Sequence, residues 1–80
     1  MTTQTQVIWT TPLAQQTIDD CKTQVNNMIA AGQTDGTHTQ TVGPGADQET
    51  VIRDWTDSTA AQEWIDFLQP YSPVSAQIVV

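Results

Sequence analysis

Cys21 is the only thiol in the chain and His38 the only imidazole, so few side chains could carry chemistry. Cys21 falls on an apolar stripe of helical spacing, where a thiol behaves as a small hydrophobe. A nucleophilic cysteine would need an electropositive, partly exposed setting and a nearby base. His38 stands among threonines, without the convergent partners of a general base or a metal ligand. A Ser-His-Asp set can be assembled from the letters, but no nucleophile elbow is present. Asp54 and Asp57 flank Trp55. Helix capping and dipole compensation account for them, because an oxygen-ligand cation loop needs more donors at set spacing. Asp19, Asp20 and Asp66 read as solvated helix faces. Gly43-Pro44-Gly45 is a turn and not a phosphate cradle, since no Lys-Ser/Thr pair follows it. Arg53, the only arginine, has two readings. Its stem covers apolar surface while its head meets a carboxylate, or it anchors an interface or a ligand. These residues predict no catalytic site, no metal site and no bound cofactor.

Charge narrows the partners. The 80 residues carry nine acids against Lys22 and Arg53, a net charge of −7. Phosphate backbones require clustered cations, so nucleic acid is not expected as a partner. Docking on anionic lipid is disfavoured for the same reason. No run approaches the ~18 apolar residues of a membrane span. The start, Met1-Thr2-Thr3-Gln4, has neither the cationic nor the apolar part of a signal peptide. One cysteine forms no internal disulfide, and one histidine with it forms no Cys/His zinc cluster. An intracellular, cytoplasmic protein is expected.

The elements that position these residues follow from periodicity. Gln4 to Thr10 is rich in β-branched and aromatic residues and reads as a strand. Thr11-Pro12 looks like a helix start, a hydroxyl cap followed by proline. Leu13, Thr17, Ile18, Cys21, Val25, Met28 and Ile29 then form one stripe over about five turns. Gly32 is placed for a left-handed end. Thr37 to Val42 is a strand with almost no apolar content, suited to a sheet edge. Gly43 to Asp47 turns the chain into a strand over Glu49 to Trp55. Asp57 or Ser58 can cap a second helix, whose stripe is Ala61, Trp64, Ile65 and Leu68. Pro70 stops it, and Val74 to Val80 alternates as a closing strand. The C-terminal Ile78-Val79-Val80 could otherwise serve as a peptide ligand, but pairing in the sheet is the simpler expectation.

The order β-α-β-β-α-β over residues 1–80 predicts a single α+β domain, a ferredoxin-like plait. Its four-stranded antiparallel sheet would have order 4-1-3-2 and both helices on one face. Val7-Ile8-Trp9, Val51-Ile52 and Ile78-Val79-Val80 put apolar side chains on both sides of that sheet. The side away from the helices would then be an exposed apolar patch, and a second copy would cover it. This predicts a homodimer with Trp9, Val51, Arg53, Trp55 and Ile78 at the contact.

The stretch Val51-Ile52-Arg53-Asp54-Trp55, then Ala61-Gln62-Glu63-Trp64 and Tyr71-Ser72-Pro73-Val74, resembles the strand-helix-strand half of dimeric α+β barrel domains. The resemblance covers most of the chain as a pattern. It implies a ferredoxin-like subunit that pairs through its sheet. Some members of that group are monooxygenases or haem-degrading enzymes, with Asn, Trp and His in a cavity between sheet and helices. Here Asn26 and Asn27 sit on the first helix and His38 on an edge strand, so no catalytic residue carries over. The Thr/Gln-rich, Lys-poor composition also resembles that of small marine phage proteins.

Three functions are open on this basis. The first is a non-catalytic association module, a homodimer that also binds another protein, marked by a dry sheet contact. The second is a small-molecule binder or cofactor-free enzyme, marked by a cavity lined by Trp and His. The third is an acidic inhibitor of a host enzyme or DNA-binding protein, marked by one outward face holding Asp19, Asp20, Asp54, Asp57 and Asp66.

Overall fold

The computed structural model describes residues 2–79. Met1, and Val80 with its expected place in the closing strand, lie outside the described residues. Strand β1 (Thr3–Thr10) is followed by helix α1 (Gln15–Ala30), strands β2 (His38–Val42) and β3 (Gln48–Trp55), helix α2 (Ser58–Leu68) and strand β4 (Ser75–Ile78). A short 3-10 turn, Gln69–Tyr71, lies between α2 and β4. The strands form one antiparallel sheet of order β2-β3-β1-β4, which is 4-1-3-2 read from the other edge.

Local chemistry explains most boundaries. Asp57 caps α2, its carboxylate accepting from the Ala60 N–H at 2.8 Å. The end of α1 is a Schellman turn: Gly32 N–H donates to Ile29 O at 3.0 Å and Gln33 N–H to Met28 O at 2.9 Å. Gly32 takes φ +75 there, a conformation glycine adopts at little cost. The β2–β3 turn is closed by Gly43 N–H donating to Gln48 O at 2.8 Å. At the start of α1 the structure corrects the expectation. The helix begins at Gln15, with Ala14 as its cap and no side-chain cap bond. Thr11 is occupied elsewhere: its N–H and its hydroxyl both donate to Asp47 O, at 2.7 and 3.0 Å. A residue tied to the β2–β3 turn cannot also cap the helix.

Register assigns every strand residue to a face. Thr5, Val7 and Trp9 of β1 pair with Arg53, Val51 and Glu49 of β3. His38 and Gln40 of β2 lie opposite Arg53 and Val51, and Ile78 and Ala76 of β4 opposite Thr5 and Val7. This is the covered face. Val7, Trp9 and Trp55 pack there in one core with Val25 and Met28 of α1 and Ala60, Ala61, Trp64, Ile65 and Leu68 of α2. The other face carries rows such as Gln77, Gln6, Ile52, Thr39 and Ser75, Ile8, Thr50, Thr41. Its apolar members are Ile8, Ile52 and Val79, each set among Thr, Gln or Ser.

The arrangement places each residue expected at an association surface. Trp9, Val51, Arg53, Trp55 and Ile78 all lie on the covered face, and Trp9 and Trp55 are 6% and 1% exposed. Trp9 and Trp55 belong to the chain's own core and Val51 packs against it, while Arg53 is half-buried and Ile78 is 38% exposed. Period-two alternation showed that two faces exist, but Ile8 and Ile52 alternate as regularly as Val7 and Val51.

One buried polar pair secures the core. Trp55 Nε1–H donates to Thr5 Oγ1 at 2.9 Å, and the Thr5 side chain is fully shielded from water. Removing the acceptor without changing side-chain shape would leave the indole N–H unsatisfied. Thr5→Val should therefore lower stability by about 1–3 kcal/mol, measured by urea denaturation. A loss well below that range would show that the indole finds another acceptor.

Candidate functional site

The two helices do not cover the sheet equally. Helix α2 lies close against β4, β1 and β3, whereas α1 stands further off. The α1 stripe divides accordingly. Val25 and Met28, near its C-terminal end, are buried in the core. Ile18 and Cys21 are half-buried, and Ile29 is 40% exposed.

Between the first half of α1 and the sheet lies a cavity of about 300 Å³. Its floor is Val7 and Trp9 of β1 with Val51 of β3. Leu13, Ile18, Cys21 and Lys22 form its roof, the last three at helical i, i+3, i+4 spacing on one side of α1. Trp64 of α2 contributes one wall. Arg53 and Glu49 of β3 and His38 and Gln40 of β2 line the opposite side. His38 and Gln40 are exposed, so the cavity reaches the surface at the β2 edge.

Arg53 is the charged group set deepest in this lining. Its guanidinium carbon lies 5.4 Å from the centre of the Trp64 ring, a cation–π placement. Burial pushes its pKa down, and no carboxylate counters that effect. Glu49, four residues along the same strand, instead accepts from Gln40 Nε2 at 2.8 Å. Of the two readings of Arg53, the carboxylate pairing is not formed among the described residues. Among the described residues, two buried side-chain polar atoms have no hydrogen-bond partner, Arg53 Nε and Trp64 Nε1. Both are donors of residues that line the cavity, and both atoms are themselves closed off from it.

Trp64 is held from two sides. Its ring lies 5.5 Å from Trp55 and 5.7 Å from Phe67, and Phe67 lies 5.4 Å from Tyr71. Tyr71 then donates to Asp20 Oδ2 of α1 at 2.8 Å. That bond raises the phenol pKa, because the hydrogen bond favours the protonated form. Asp20 thus ties α1 to the end of α2, a role beyond that of a solvated helix residue. Asp19 and Asp66 accept only local bonds, from Gln15 and Gln62.

The remaining expectations can be placed. Cys21 is a lining residue, half-buried, and its thiol pKa is raised mainly by burial, with Arg53 opposing and Asp20 adding. That is the reverse of an activated nucleophile. His38 lies directly opposite Arg53, and its Nδ1 is 3.4 Å from Gly36 O. Asp54 sits on the open sheet face, across the sheet from the helices that carry Asp19, Asp20 and Asp66, so these acids do not form one face. Among the described residues no three His, Cys, Asp or Glu side chains cluster as metal ligands, and no helix is long and apolar enough to cross a membrane.

Sequence reasoning missed Lys22, Gln40, Glu49 and Trp64 as members of a site. Counting outward from the Gly43–Asp47 turn would have set Gln40 beside Val51 and His38 beside Arg53. Nothing in the sequence shows that α1 stands away from the sheet. No family model, no curated protein and no solved structure matches the chain.

The thiol has a pH consequence. A Cys21 pKa higher in the folded than in the unfolded chain contributes stability that is complete below the ordinary thiol value, about 8.5. That contribution is lost as pH rises through the folded value. The urea midpoint of the wild type should therefore fall above about pH 8.5 more steeply than that of Cys21→Ser. Tyr71 titrates in both proteins, so the difference between them isolates the thiol. Parallel curves would show that the thiol is not desolvated.

Proposed function

We propose that this chain is a small-molecule-binding domain on a ferredoxin-like plait, its ligand lying between α1 and the sheet. The observation that carries the reading is the cavity lined by Trp9, Trp64 and His38, with apolar side chains on its floor and polar ones toward the β2 edge. Ligand sites combine an apolar lining with a few placed polar groups, and about 300 Å³ is at the lower end of their size range. A single ring with a short substituent suits that volume. Binding rather than turnover is favoured because the one thiol in the lining is held toward its protonated form.

Homodimerisation through the sheet has less support. Ile8, Ile52 and Val79 remain as apolar contributors, separated by Gln, Thr and Ser. A stable face-to-face contact normally rests on a contiguous apolar centre with aromatic anchors, and the tryptophans lie on the other side.

Benzyl alcohol, a neutral single-ring probe, tests the site. Amide and indole NMR shifts should concentrate at lining residues such as Ile18, Cys21, Val51 and Trp64, with a Kd of about a millimolar. Val51→Phe, which fills the cavity from its floor, should stay folded and lose these shifts. Shifts scattered over the surface, or unchanged by Val51→Phe, would refute the assignment.

A further inference from the structure

Charge is distributed unevenly in this molecule. Lys22 and Arg53 are the only lysine and arginine, and both line this cavity, together with the only histidine. Of the nine acids, only Glu49 lines it, and its carboxylate is engaged by Gln40. A recess of about 280 Å³ along the rest of α1 shares the same three residues, Lys22, His38 and Arg53. A chain of net charge −7 therefore concentrates its positive groups between α1 and the sheet.

Hydrogen bonding adds an independent argument. The two buried side-chain atoms without partners, Arg53 Nε and Trp64 Nε1, are both donors. Both atoms are themselves closed off from the cavity, so a ligand would meet the rest of the Arg53 guanidinium, which has donors and no acceptor and suits an acceptor-bearing ligand. Those donors would not be matched by a cation or an ammonium group. A guanidinium half removed from water without a carboxylate partner is held at some cost, and an arriving anion offsets that cost.

From these observations we infer that the cavity selects a small monocarboxylate, with its carboxylate on Arg53 and an aromatic or branched apolar body against Val7, Trp9 and Trp64. This deepens the small-molecule-binding function proposed above and rests on it. A carboxylate matches the planar fork of an arginine. A dianion such as a phosphate monoester fits less well, because Glu49 stands in the same lining and would repel the second charge. The apolar floor disfavours a fully hydrated inorganic anion for a complementary reason: Val7 and Val51 offer that ion no donors.

Benzoate and benzamide have nearly the same shape and differ in charge, so titrating both against the full chain, followed by NMR shifts of the lining residues, tests the inference. Benzoate should bind about tenfold or more tightly than benzamide. In Arg53→Met the preference should vanish while benzamide still binds, and Arg53→Lys should keep part of it. Raising salt from about 20 to about 200 mM should weaken benzoate and leave benzamide unchanged, a measurement on the wild type that stands even if a variant unfolds. Equal binding of the two probes, or a benzoate preference that survives Arg53→Met, would overturn the anion selectivity and leave the cavity as a neutral site. Failure of both probes to shift the lining would overturn the binding site itself.

Discussion

Trp64 is the residue on which both the core and the cavity depend. Its indole packs between Trp55 from the sheet and Phe67 from its own helix. The row continues through Tyr71 to a hydrogen bond with Asp20 of α1. Offset aromatic contacts are worth about 0.5–1.5 kcal/mol each beyond the area they bury. Three in series therefore matter in a chain of 80 residues, where burial alone leaves little margin. The row also sets where α1 is held. The helix is fixed at Val25 and Met28 by the core and at Asp20 by Tyr71, and between the sheet and its first half the cavity remains.

Close packing is the rule in protein interiors, so a cavity of this size needs a physical reason. The side chains that face it supply one. Arg53 cannot be covered by apolar residues without losing the water its head still reaches, and its partner across the sheet, His38, lies on an exposed edge strand. Lys22 on α1 would meet Arg53 if the helix settled further, setting like charges together.

Much of the fold could be read from the sequence because local signals agreed with one another. The Thr-rich β2 is an exposed edge, Val42 being 87% exposed, because such residues cannot contribute to a core. Asp57 and Gly32 mark helix ends through bonds that need no tertiary context. What could not be read depends on long-range partners. Thr11 has the type and position of a helix cap, yet Asp47, far along the chain, holds it instead. The two faces of β1 and β3 were visible as Val7/Ile8 and Val51/Ile52, but alternation carries no label for which face the helices take. Arg53 and Trp55 were read as sharing a face. That the face was the covered one reversed their meaning, from contact residues between two copies to residues beneath the chain's own helices.

The same reversal changes what the polarity of the chain is for. Thr and Gln on the open side of the sheet give each isoleucine polar neighbours, which leaves that side able to face water without a partner. Acids are spread over the helices, the sheet face and the connecting segments, as solubility requires. The cations are not spread at all. Arg53 would gain by lying outside, where water and nearby carboxylates stabilise a cation, whereas Lys22 at the rim of the recess is already exposed. Their shared position in the cavity lining instead places the molecule's positive potential in its one aromatic recess, where low polarity strengthens any contact with an anion. The anion selectivity proposed above would need no additional element: it would rest on a helix packed more closely near its C-terminal end and on an arginine whose neighbours are tryptophan and cysteine rather than aspartate or glutamate.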